Sequence, residues 1–191
     1  MFSRIRLIKW NVPLVMLLVL SIFLLCPSVT SAYTLWSGYK WDSVDPLYYL
    51  MENYIGYRTR AAFSGSIYDW NIAGTPADFE YSASDYTVYL YEVFRDDVAW
   101  DGMTERTLSC WWWWCKVVYA KACLNAVYTD DYGLNQRESV SGHELGHVLQ
   151  LGEMDWGDPV LMNQYTNWRF GYWGVFTPQH DDIDSVNYLY G

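Results

Sequence analysis

Apolar residues recur along this chain in two rhythms, and each predicts a different kind of element. Val140, His143, Glu144, His147, Val148 and Leu151 follow the i, i+3, i+4, i+7, i+8, i+11 spacing of one helical face, which predicts a helix over residues 137–151. Leu145 and Leu149 are apolar on another side, so this helix is expected to be buried on most sides. Gly142 and Gly146 each cost about 1 kcal/mol relative to alanine inside a helix. Their presence implies that something packs close to them. Residues 57–72 are compatible with an earlier helix through Ala61, Ala62, Ile67 and Trp70, weakened at Gly65. Thr177 as N-cap, Pro178 at the first helical position and Asp181-Asp182 in the first turn predict a third, with Ile183, Val186 and Tyr190 on its apolar side.

The second rhythm is strand-like. Residues 86–94 set Val88, Leu90 and Glu92 against Tyr89, Tyr91 and Val93, and Leu47–Met51 follows the breaker Asp45-Pro46. Residues 115–128 are expected to supply one or two more strands. Strands and helices are mixed in an α+β or α/β pattern, with no linker or internal repeat.

The first 32 residues stand apart from that pattern. Arg4, Arg6 and Lys9 precede an apolar stretch at 12–25, and Thr30-Ser31-Ala32 is a small-residue cleavage site. A signal peptide at 1–32 is therefore expected, leaving one domain at 33–191 in a secreted, extracellular protein. The apolar stretch is short for a ~20-residue membrane span, so a membrane is expected as a partner only through this segment if it stays uncleaved.

Without those three basic residues the chain carries nine basic residues against 22 acidic ones, a net charge of −13. Such acidity disfavours nucleic acid and anionic membranes as partners. The pairs Asp96-Asp97, Asp130-Asp131 and Asp181-Asp182 are compatible with Ca²⁺, but none lies in an EF-hand pattern and solvated surface is the simpler reading. Of the cysteines beyond residue 32, Cys110 and Cys115 are the preferred pair over combinations with Cys123. Aromatic residues make up 19% of the chain, more than one core needs. Of the four tryptophans 111–114, strand alternation would send two inward and leave two on the surface. The alternative is an exposed platform for a hydrophobic peptide, a glycan or a membrane interface.

His143-Glu144-Leu145-Gly146-His147 carries the chemistry. On a helix, HExxH sets two imidazoles one turn apart on one face, where both can reach a single Zn²⁺ while the glutamate stays free as a base. A catalytic zinc needs three protein ligands and one open position. Glu153 and Asp155, ten and twelve residues after His143, are the nearby candidates for the third if the chain turns back near Gly152. His180 begins a helix, and a capping or surface role suits it better.

Residues 143–153 resemble the extended HExxHxxGxxH zinc motif of the metzincin metallopeptidases, the matrixin branch in particular. Other segments fall in that family's order: Ala62-Phe63 through Trp70 is similar to its first helix, and Asp158-Pro159-Val160-Leu161-Met162 to the approach to the Met-turn. Asp181-Asp182-Ile183-Asp184 through Leu189-Tyr190-Gly191 resembles its C-terminal helix, and Lys40-Trp41 and Leu124-Asn125 also match in place. The resemblance covers nearly all of residues 33–191. It implies a metzincin-like α+β domain: a twisted, mixed five-stranded sheet with three helices, and a cleft across the sheet edge. It also implies one catalytic Zn²⁺ held by His143, His147 and Glu153 (Asp155 as alternative), Glu144 as general base, and Met162 as support beneath the metal. Residues 120–125 would be the edge strand that pairs with extended substrate. The chain departs from the family at Gln150, where a glycine is usual, and at Glu153, where the third histidine is usual. It has no His-rich structural zinc site and no cysteine-switch segment before Lys40-Trp41.

The expected function is thus a secreted, monomeric zinc endopeptidase acting on peptide or protein substrates. The alternative is a catalytically impaired binding protein of the same fold.

Overall fold

The five residues of β1 (Leu47–Met51) sit near the middle of a sheet whose order is β2-β1-β3-β5-β4. The computed structural model describes residues 35–191 except 37 and 156; the expected signal peptide at 1–32 lies outside the described residues. Strand β1 runs parallel to β2 (Phe79–Tyr81) and to β3 (Val88–Val93). The parallel β1–β2 connection needs a crossover, and α1 (Tyr57–Ile72) supplies it. β3 in turn runs parallel to β5 (Trp114–Asn125), and β4 (Gly102–Trp111) pairs antiparallel with β5 at the sheet edge. This is a mixed five-stranded sheet with several helices, compatible with the α+β class.

Two expectations about the sheet are corrected. Residues 120–125 form no edge: they are held between β3 and β4, with Ala120, Ala122, Cys123 and Leu124 buried. The edge is β4, whose run GMTERTLSCW buries only Thr104 and carries little of the apolar alternation that announces a strand. It is held instead by its ladder with β5. The second correction concerns the tryptophans. Trp112 and Trp113 make the two-residue β4–β5 turn, Trp112 at φ 56, and all four rings from 111 to 114 are exposed. Alternation buries a side chain only where a second layer covers the sheet, and none covers this tip. The Cys110–Cys115 disulfide expected from the sequence closes the hairpin below it, and Cys123 is a buried free thiol.

After β5, the Asn125 side chain accepts a hydrogen bond from Val127 N and caps the short α2 (Ala126–Thr129), which replaces the strand expected to run on to residue 128. Helix α3 (Leu134–Val148) starts three residues before the expected boundary and ends before Gln150. It is buried along almost its whole length, as its two apolar sides predict. α1 turns Thr59, Ala62, Phe63, Ser66, Ile67 and Trp70 inward, at one-face helical spacing, onto α3 and the core. There Trp70 Nε1 donates to Gly142 O at 3.0 Å, and Ser66 Oγ lies 2.6 Å from Ser141 Oγ.

The glycines of α3 explain themselves by this packing. A Cβ on Gly142 would meet Leu161 at 3.1 Å, and one on Gly146 would stand 2.2 Å from the sulfur of Met162. The final helix, α4 (His180–Tyr190), is capped by Gln179 and not by Thr177. Gln179 N donates to Asp182 Oδ2 at 2.8 Å, and the same carboxylate accepts from Leu161 N at 2.8 Å and Met162 N at 3.1 Å. Only a start at His180 puts Asp182 where it can serve both segments. Every residue of the buried core lies between Trp41 and Val186.

Replacing Gly146 by alanine forces Met162 out of its seat and is expected to destabilise the fold by about 1–3 kcal/mol. Gly171→Ala, where nothing lies within 4 Å of the added carbon, is expected to stay within about 0.5 kcal/mol of the parent. Denaturant unfolding of the two variants checks the contrast.

Candidate metal centre

Helix α3 holds His143 and His147 one turn apart, with ring centroids 4.6 Å apart and planes at 82°. Each ring is oriented through its Nδ1. His143 Nδ1 lies 2.9 Å from Leu161 O, and His147 Nδ1 lies 2.9 Å from Leu151 O. A carbonyl can only accept, so these contacts favour a proton on each Nδ1 and make Nε2 the atom each ring offers to a metal. Backbone anchoring of this kind fixes the tautomer of metal-binding histidines.

The two Nε2 atoms meet a carboxylate. Glu153 Oε1 is 3.2 Å from His147 Nε2, and Oε2 is 3.5 Å from His143 Nε2. Ligand atoms about 2.0–2.1 Å from a tetrahedral ion stand about 3.3 Å apart, so these separations suit a shared ion. Among the described residues, His143, His147 and Glu153 form the group of three whose ligand atoms, all within 4.8 Å of one another, could hold a metal ion. Asp155 is outside that group; its backbone carbonyl accepts from Asn163 Nδ2 at 3.2 Å. His180 is on the surface, paired with Asp184 at 3.4 Å. The acidic pairs gather no comparable cluster: Asp97 pairs with Arg95, Asp130 with Arg137, and Asp182 caps α4.

Glu153 reaches the histidines because the chain reverses at Gln150. This residue has φ 73, in the left-handed region that favours glycine. Its side chain offsets the cost: Nε2 donates to Val148 O at 3.0 Å and to His147 O at 3.3 Å, and Oε1 accepts from Arg106 Nη1 at 2.6 Å. The Arg106 guanidinium also lies 4.3 Å over the ring of Trp36, which in turn rests 4.9 Å from the His147 ring.

Glu144 is buried beside the pair and points the other way, toward β4. Thr104 Oγ1 lies 2.7 Å from its Oε2, and a Cβ on Gly102 would come within 2.6 Å of its Oε1. The strand can therefore lie against the glutamate only with glycine at 102. Burial pushes the Glu144 carboxyl up to about 7, against the opposing pull of His147 and the Thr104 hydrogen bond. A group with that value both accepts and releases a proton near neutral pH.

Glu153 behaves oppositely. Burial alone would raise it, but hydrogen bonding to His143 and His147 holds it well below the usual carboxylate range. His143 is drawn down to about 4, first by burial and then by the Arg169 guanidinium. Burial alone would lower His147 too, yet Glu153 and Glu144 raise it. A cavity of about 480 Å³ opens in front of these groups, its walls including Asp101, Tyr132, His143, Glu144, Glu153 and Arg169.

The sequence named His143, His147 and Glu153, which the structure brings together, and also Glu144 and Met162, the latter buried with its sulfur against Gly146. It missed Thr104, Trp36 and Arg169, and the bonds of Asp182 to Leu161 and Met162. Arg169 lies in a π-helical turn (Asn167–Tyr172), fully buried, where its Nε donates to Ser139 Oγ at 2.8 Å and its Nη2 to Thr166 Oγ1 at 3.0 Å. No spacing connects these residues to HExxH, because each reaches the site through a tertiary contact. No protein-family model matches the chain, and no curated protein does.

Asp182→Asn would turn an amide donor toward a backbone N–H of Leu161 or Met162. A loss of about 1–3 kcal/mol in unfolding free energy is expected from the unpaired buried groups, measured by chemical denaturation.

Proposed function

We propose that this chain is a secreted zinc-dependent endopeptidase of the matrixin kind, with a metzincin-like fold. The reading rests above all on the Glu153 carboxylate standing 3.2 and 3.5 Å from the two Nε2 atoms of an HExxH helix, while Glu144 faces away into the cleft. Two imidazoles and one carboxylate are a known catalytic zinc set. The family resemblance fits as well: a mixed sheet with an antiparallel edge strand, Met162 packed under the site and a carboxylate-capped final helix. Gln150, in place of the usual glycine, still makes the left-handed turn. The Cys110–Cys115 disulfide suits an oxidising exterior.

Zinc, when bound, supplies Lewis acidity toward a water and the scissile carbonyl. The protein supplies the rest. His143, His147 and Glu153 would hold the ion, and the backbone acceptors Leu161 O and Leu151 O keep both rings aimed. β4 is the sheet edge beside Glu144, so an extended peptide pairing with it is carried past that carboxylate. Glu144 takes the proton from the attacking water and passes it to the leaving amine, a task for which its burial-raised affinity suits it. Arg169 adds positive charge beside His143 and holds the Asn163 carbonyl.

The purified protein is expected to take up one equivalent of Zn²⁺ and to cleave a generic substrate such as casein, with chelation abolishing cleavage. Glu144→Ala is expected to keep the zinc and lose hydrolysis by about 10²–10⁴-fold. Full zinc occupancy without any cleavage in the parent would instead favour the binding-protein alternative. Glu153→Ala should weaken zinc binding by about a hundredfold or more and Asp155→Ala should leave it unchanged, as read by competition with a chromogenic chelator.

A further inference from the structure

The hairpin joining β4 to β5 ends in four consecutive tryptophans that the proposed chemistry does not use. Trp111, Trp112, Trp113 and Trp114 are 73%, 82%, 89% and 52% exposed. Contiguous apolar surface of this kind marks an interaction site. The hairpin presents it on a stiff stalk, with the Cys110–Cys115 disulfide directly below and Trp111 still paired with Trp114 across the ladder. Only the Trp112-Trp113 turn lies beyond the last ladder pair. Few backbone groups would then need new partners on entering lipid.

Three observations select the occupant. Only two residues lie beyond the last ladder pair, too short a stretch for a peptide to add to as a strand. The Trp112 and Trp113 rings stand at 79° to each other and share no plane on which a sugar could stack. No charge lies within 111–115 of this acidic chain, and the first charge beyond, Lys116, is ion-paired with Asp42.

We propose that the Trp111–Trp114 tip seats in the interface of a zwitterionic phospholipid bilayer. Tryptophan suits that depth, since its apolar body faces the acyl boundary while its N–H reaches headgroup oxygens. Lys116 and Asp42 limit entry to the headgroup level. The net charge of −13 beyond residue 32 repels anionic surfaces, so neutral lipid is preferred.

Co-sedimentation with phosphatidylcholine vesicles tests this on residues 33–191, the part that carries its own core. W112S/W113S is expected to lower partitioning by about tenfold or more, a change of 1.4 kcal/mol per tenfold, without lowering the melting temperature. Y54S/Y57S, which removes two rings 96% and 84% exposed elsewhere, should leave partitioning unchanged. Phosphatidylglycerol vesicles should bind the parent less than phosphatidylcholine. The proposal is overturned if the parent does not bind phosphatidylcholine, if W112S/W113S partitions like the parent, or if Y54S/Y57S loses as much. Retention on a polysaccharide or peptide column without vesicle binding also overturns it and reassigns the tip.

Discussion

The close approach of Leu161 and Met162 to the two glycines of α3 is the contact on which the site depends. A helix of this burial would gain from alanine at 142 and 146, yet an added carbon at 146 would overlap the Met162 sulfur. With both positions bare, the 161–162 segment lies flat on the helix. Leu161 O then reaches His143 Nδ1, while the N–H groups of both residues turn to Asp182. One packing contact thus couples the aim of a histidine to the cap of α4. Burial pushes the Asp182 carboxyl up to about 6 despite three backbone donors, so the carboxylate is held there at a desolvation cost.

Around that contact the site divides its two glutamates. Glu153 stays anionic because two imidazoles face it, whereas Glu144 is enclosed by the start of β4 and drifts toward neutral pH. Two carboxylates with separated proton affinities are what a metal ligand and a proton carrier require. The same strand that encloses Glu144 is the free edge of the sheet, which puts the proposed peptide track and the proposed base side by side.

Much of the fold was legible wherever a repeating face met a core. The first helix and the burial of α3 follow from apolar spacing, and the bounds of β1 from its aromatic and aliphatic run after Asp45-Pro46. Strand β4 was illegible because an edge strand with one half-covered face carries no alternation, and residues 120–125 of its partner β5 were assigned the edge through the family resemblance alone. The tryptophans misled in the opposite direction: their hydrophobicity predicts burial, but a hairpin tip has no second layer to bury them. The final helix begins at His180 because Asp182 is claimed by Leu161 and Met162, a demand no local capping pattern contains.

For the site, the sequence by itself determined the pair of histidines and the glutamate between them, since 3.6 residues per turn places i and i+4 on one face wherever the helix lies. It also determined that a carboxylate follows within reach, without choosing between Glu153 and Asp155. The tertiary structure decided that choice through the left-handed turn at Gln150, which the packing of Arg106 and the end of α3 sustain. It likewise decided which strand borders Glu144, which carbonyls orient the rings and where Arg169 enters. The reason is range: helical periodicity acts over a few residues, whereas each of these contacts joins segments that meet only once the core has closed.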